Sequence, residues 1–262
     1  MPLTPYPDVD RLLVLLRSRI ERVLGGKLLG LYLTGSLVTG DFDLMVSDLD
    51  LVAVTAAGPS RPELDALGAM HRELAAQEPR WDDRIEVVYV PAAALRTFRT
   101  RSSRIAVTSP GEPFHTRLAG EEWLINWYVL RQKGVALHGP PSSAFVDPIS
   151  DDELVRAARD SALLWRGWVT KARRRNAQVY AVLTACRALY TSSQGDFVSK
   201  RRAGLWAAAA MPEWAALIHE ALRIWREDWY AERPDDEAMR SETVRFVNDV
   251  ADRIEGAVVG RT

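Results

Sequence analysis

The sequence predicts a small α/β (α+β) domain with a mixed sheet, followed by an all-α helical bundle. Two patterns carry this expectation. Apolar, strand-length runs at 28–34, 49–55 and 84–90 alternate with helical periods in the first part of the chain, and beyond them the period is helical almost throughout. The boundary is expected in Ser102–Phe114, where Pro110, Gly111 and Pro113 interrupt regular structure; this gives domains 1–112 and 113–262.

Taken in order, Val9–Val23 reads as an amphipathic helix, with Leu12, Leu13, Leu15, Leu16, Ile20 and Val23 near helical spacing and Gly25-Gly26 as its stop. A strand at 28–34 runs into Gly35-Ser36, and a second strand follows at about 49–55. Pro59–Gln77 has a helical period, and Arg84–Val90 (RIEVVYV) reads as a third strand. Helices are expected at about 118–133, 151–170, 177–193, 199–210, 213–230 and 236–258. Ser150 and Glu153 form a capping box at the second of these, and Gly195 ends the third. Trp123/Trp127 and Trp225/Trp229 are spaced i, i+4, so each pair shares a helix face and reads as bundle core.

Composition excludes several classes. The 34 basic and 35 acidic residues leave a net charge of −1, so no global field draws nucleic acid or an anionic membrane, and a nucleic-acid partner is disfavoured. The single cysteine, Cys186, forbids an internal disulfide and a cysteine-based zinc site, which suits a reducing cytoplasm. It lies in AVLTACRALY and reads as a small buried hydrophobe. No run reaches the ~18 apolar residues of a membrane span, and the N-terminal MPLTPYPDVDRLL lacks the pattern of a secretory signal. The expectation is therefore a cytoplasmic protein without a membrane partner.

The chemistry concentrates in Leu28–Thr55, LLGLYLTGSLVTGDFDLMVSDLDLVAVT. Asp48 and Asp50 flank Leu49, and alternation along a strand turns residues i and i+2 to one side. Two carboxylates held together repel unless a cation separates them, and a hard divalent ion such as Mg²⁺ prefers oxygen ligands. Gly35-Ser36, at the end of the preceding strand, offers a backbone that a phosphate can approach, with N–H and hydroxyl donors. Trp165 and Trp168 end a helix ahead of a basic stretch, and Lys171, Arg173, Arg174 and Arg175 form one cationic cluster while Lys200, Arg201 and Arg202 form another. No GxxxxGK[ST] segment is present, which argues against a P-loop kinase.

Gly-Ser, ten to twelve residues, then DxD inside an apolar stretch resembles the signature of the nucleotidyltransferase superfamily related to DNA polymerase β. VALHGP (Val135–Pro140), VDPIS (Val146–Ser150) and Val182–Ala207 are similar, in the same order, to segments of the aminoglycoside nucleotidyltransferases that adenylylate streptomycin and spectinomycin. The resemblance implies an α/β (α+β) nucleotidyltransferase domain with a small mixed sheet, followed by an all-α helical bundle that completes the ATP and acceptor site. It implies Mg-dependent transfer of AMP from ATP to a hydroxyl of a small molecule, an aminoglycoside-type antibiotic above all. The alternative is a nucleotidyltransferase that modifies a protein, an RNA or an unrelated small molecule. Asp48 and Asp50 would hold Mg²⁺, and Glu86 would be the third carboxylate, as ligand or base. Gly35, Ser36, Glu122 and Lys200 would bind the nucleotide, with Glu122 supplied by the second domain, and Trp168 would stack on the acceptor. One departure stands out: relatives carry aspartates shortly after the tryptophan matched by Trp168, where this chain reads VTKARRRNAQ with no acid.

Overall fold

A computed structural model of the chain describes residues 3–227, 229 and 237–259. It divides into two compact units, 1–148 and 149–262. The first holds a six-stranded mixed sheet of β1 (Leu28–Leu33), β2 (Leu49–Thr55), β3 (Ile85–Pro91), β4 (Ser103–Ser109), β5 (Glu112–Ala119) and β6 (Val135–His138), ordered β5-β4-β3-β2-β1-β6. β2 and β3 run parallel, and every other neighbouring pair is antiparallel.

Why the sheet buries one face is legible in β2. Leu49, Leu51 and Ala53 alternate onto one side and join a core with Val9, Leu12, Leu13, Leu16 and Ile20 of α1 (Pro7–Leu24) and Leu67, Met70 and Leu74 of α3 (Arg61–Gln77). Burying each such side chain stabilises the fold by roughly 1.5–3 kcal/mol. Asp50 and Val52 necessarily face the other way. The α3 helix starts on a full capping box between Ser60 and Glu63, with Pro62 in its first turn, where a missing N–H costs nothing. The 138–141 turn closes the other edge: Gly139, at φ +83°, passes so close to Leu29 that a Cβ would meet its carbonyl oxygen, and the Tyr32 hydroxyl donates to Pro140 O at 2.6 Å. Burial pushes the Tyr32 phenol up to about 12.

Two sequence expectations change here. The boundary near 112 cuts a β-hairpin, because Pro110, Gly111 and Pro113 sit in and beside the β4–β5 turn; the division falls at Pro148/Ile149 instead. Strands β4, β5 and β6 were hidden by polar residues at the sheet edge and by the four-residue length of β6. Accordingly the helix expected at 118–133 is α5, Leu124–Lys133. Trp123 and Trp127 stack at 5.5 Å between ring centroids, in the first unit and not in the bundle.

The second unit is helical: α6 (Asp151–Val169), α7 (Arg175–Gln194), α8 (Lys200–Ala210), α9 (Ala215–Glu227) and α10 (Glu237–Val259). The capping box opens α6, and Gly195 at φ +71° ends α7, as the sequence predicts. Residues 228, 230 and 236 of the expected helical spans lie outside the described residues. α7 is the central helix, with Val179, Val182, Leu183, Cys186 and Leu189 in one core with Ile218 and Phe246. Trp225 and Trp229 pack on that core, and burial pushes the Cys186 thiol well above its ordinary pKa. No helix among the described residues is long and apolar enough to cross a membrane.

Candidate active site

The Gly-Ser segment and the carboxylates meet at the end of the parallel β2–β3 pair. β1 ends at Leu33, and Thr34 N donates to Asp50 O at 2.9 Å, which brings the next residue against β2. Gly35, at φ +67°, opens the short helix α2 (Gly35–Thr39). A Cβ there would lie 1.7 Å from Asp50 Oδ2. Only glycine fits, both for that contact and for the left-handed backbone. The Ser36 hydroxyl, one residue on, is buried and has no hydrogen-bond partner within the protein.

Asp50 and Glu86 are direct partners in the parallel register, so their side chains leave the same face, opposite the α1/α3 core. Asp48 precedes β2 by one residue. Leu49 N already donates to Arg84 O at 2.8 Å, so the chain runs alongside β3 from this point. Glu86 accepts a hydrogen bond from Ser109 Oγ at 2.7 Å.

Sequence reasoning missed Arg84. It is 5% exposed, its guanidinium lies 4.8 Å from the Trp81 ring centroid, and Nη2 donates to Ser47 O at 2.5 Å and Leu44 O at 3.1 Å. One rigid fork thereby fastens the loop that delivers Asp48. Asp43 closes the same loop, with its N–H on Ser47 Oγ at 2.9 Å and its carboxylate accepting from Met45 N at 2.8 Å. The available signal was an arginine at the mouth of an apolar strand, two residues ahead of Glu86.

The remaining expected residues are divided between the two units. Glu122 lies in the first unit, in the turn before α5, and accepts from Gly120 N at 3.0 Å; the expectation that the bundle domain supplies it does not hold, because β5 and α5 belong to the sheet unit. Lys200 opens α8 in the second unit, its Nζ 3.6 Å from the Tyr180 ring centroid. Trp168, 42% exposed, packs edge-on against Trp165 at 4.6 Å, and Trp165 in turn meets Tyr180 at 5.6 Å. Lys171, Arg173 and Arg174 are exposed at the α6–α7 junction. Arg175 turns to Glu220 at 3.1 Å; Arg223 first, then Arg175, hold the Glu220 carboxyl below its ordinary pKa.

Among the described residues no three His, Cys, Asp or Glu side chains form a ready-made metal cage. Asp50 and Glu86 in register, with Asp48 two residues earlier, offer carboxylate oxygens of the kind a hard divalent ion such as Mg²⁺ takes.

Residues 144–253 match the family model described as aminoglycoside adenylyltransferase, C-terminal domain. An aminoglycoside (3'') (9) adenylyltransferase of Rhizobium radiobacter is 31% identical over 124 residues, covering 45% of this chain and 43% of that protein. The match thus spans less than half of the curated relative's length. The crystal structure of a spectinomycin adenyltransferase from Enterococcus faecialis with ATP and spectinomycin superposes with a TM-score of 0.74 at 17% identity, covering 92% of this chain and 99% of that one. The two share a fold.

Proposed function

For a chain that is related to the aminoglycoside adenylyltransferases and carries their C-terminal domain in residues 144–253, we propose Mg-dependent transfer of AMP from ATP to a hydroxyl of a small antibiotic-type acceptor. The observation that carries the reading is the row of Asp50 and Glu86 on one face of adjacent parallel strands, with the Gly35 backbone packed against Asp50 and the buried Ser36 hydroxyl next in the chain.

The acceptor hydroxyl attacks the α-phosphorus of ATP, an O–P bond forms, the α–β bridging bond breaks, and pyrophosphate leaves. Little covalent chemistry falls to the protein, so positioning and charge neutralisation dominate. Asp48 and Asp50, with Glu86, would hold Mg²⁺, which when bound neutralises the triphosphate. The Gly35 backbone and the Ser36 hydroxyl take phosphate oxygens. Glu86 takes the proton of the attacking hydroxyl. Lys200 supplies a point charge for the triphosphate, Glu122 a further nucleotide contact, and Trp168 a face for the acceptor to stack on.

The acceptor should carry little positive charge. Lys171, Arg173 and Arg174 are exposed in the stretch where the resemblance implies acids, and such cations beside a bound polycation would repel it. Those same cations favour a second reading, in which the acceptor is a protein or RNA hydroxyl. Incubation with ATP labelled at the α- or the γ-phosphate separates the readings. Transfer of the α-label alone to an antibiotic supports the proposal, transfer to a macromolecule supports the second reading, and transfer of the γ-label would refute nucleotidyl transfer.

A further inference from the structure

We infer that Ser109 is a positioning residue for the carboxylate of Glu86, an inference that rests on the nucleotidyl-transfer reading of the same site. In the antiparallel β3–β4 ladder Val87 pairs with Thr108 and Val88 with Val107, so the next step of that register sets Glu86 beside Ser109. The contact is made: Ser109 Oγ donates to Glu86 Oε2 at 2.7 Å, a charge-assisted length. Asp50, Glu86 and Ser109 therefore line up across three neighbouring strands, and the hydroxyl holds the outermost carboxylate in the row.

The end of β4 is itself tethered. Ser109 closes the β4–β5 hairpin opposite Glu112, after a register shift between Val107 and Ser109; such irregularities re-aim side chains next to functional sites. Gly111, at φ +76°, donates its N–H to Asp83 Oδ1 at 2.5 Å. Asp83, three residues ahead of Glu86, adopts φ +55°, the one non-glycine residue with positive φ among those described. Such strained backbone persists where surrounding contacts over-determine it. Two tethers, one from side chain to side chain and one from turn to strand entry, thus fix the hairpin end against the entry of β3.

A carboxylate that loses its positioning donor samples rotamers away from the attacking hydroxyl, and misplacement on the scale of an ångström costs up to ~100-fold in rate. Ser109→Ala should lower kcat roughly ten- to hundredfold with KM for ATP within about twofold, and Ser109→Thr, which keeps the hydroxyl, should restore most of kcat. A merely structural role would instead lower the melting temperature and leave turnover per folded molecule unchanged. Crystals of the variants give a readout independent of turnover: one Glu86 carboxylate conformer in wild type and Ser109→Thr, and more than one in Ser109→Ala. Wild-type protein that transfers no AMP would defeat the functional reading while the crystals still judge Ser109. A single, unmoved Glu86 conformer in Ser109→Ala, or full kcat in that variant with active wild type, would overturn the inference.

Discussion

Gly35 lies so close to Asp50 that a methyl group on it would sit 1.7 Å from the Asp50 carboxylate oxygen Oδ2. The Gly35 backbone and the Asp50 carboxylate are thus packed directly together. Gly35→Ala should cost ~1–2 kcal/mol of stability from the left-handed backbone alone and should displace Asp50 as well. AMP transfer is expected to fall at least ~100-fold, measured at a temperature where thermal melting shows the variant folded. Activity within about tenfold of wild type would mean that Asp50 has room to move that the close contact denies.

Glu86→Gln should leave ATP affinity nearly intact and stop the chemistry, since an amide cannot take the hydroxyl's proton. Calorimetry with Mg-ATP checks the first part and single-turnover transfer the second. If nucleotide binding disappears altogether, Glu86 serves the metal before it serves the acceptor.

Lys200→Ala should weaken Mg-ATP binding by roughly 1–3 kcal/mol, the range of a charge-assisted hydrogen bond. Its ammonium rests over the Tyr180 ring at 3.6 Å, so Tyr180→Leu should have a smaller effect in the same direction. An unchanged dissociation constant in Lys200→Ala would return this residue to a cation–π contact within the bundle.

Stability should depend on His71. Burial drops its pKa from 6.5 to about 4, and a neutral ring can accept from the Tyr89 hydroxyl at 2.8 Å. The unfolded chain then binds more protons than the folded one between those values, so stability is full above pH ~6.5 and declines as pH falls toward ~4, by roughly 3 kcal/mol in all and about 2 kcal/mol of it by pH 5. Urea titrations at pH 7.5 and 5 should show this loss in wild type and much less of it in His71→Gln. Equal losses in both proteins would assign the acid sensitivity to other groups.

Much of this was legible in the chain. The Gly-Ser segment, Asp48/Asp50 and Glu86 stand out in the sequence at or beside apolar runs, and the structure pairs Asp50 with Glu86 in adjacent strands. Local caps such as Ser150/Glu153 were equally plain. The division at residue 148 was not, since edge strands β5 and β6 carry polar residues that blur a period of two, and a proline–glycine hairpin turn reads like a linker. Arg84 and Ser109 act through contacts between segments distant in sequence, and no local pattern encodes such a partner.

Transfer of AMP to a small antibiotic is tested most directly by incubating wild type and Asp50→Asn with Mg-ATP and a panel including spectinomycin and streptomycin, followed by mass spectrometry of the antibiotics. An AMP adduct is expected from wild type and not from Asp50→Asn, with spectinomycin modified at least ~10-fold more efficiently than the more highly charged streptomycin, a difference of ~1.4 kcal/mol in the barrier. No adduct on any antibiotic with folded, ATP-binding wild type, or equal adduct from Asp50→Asn, would contradict it.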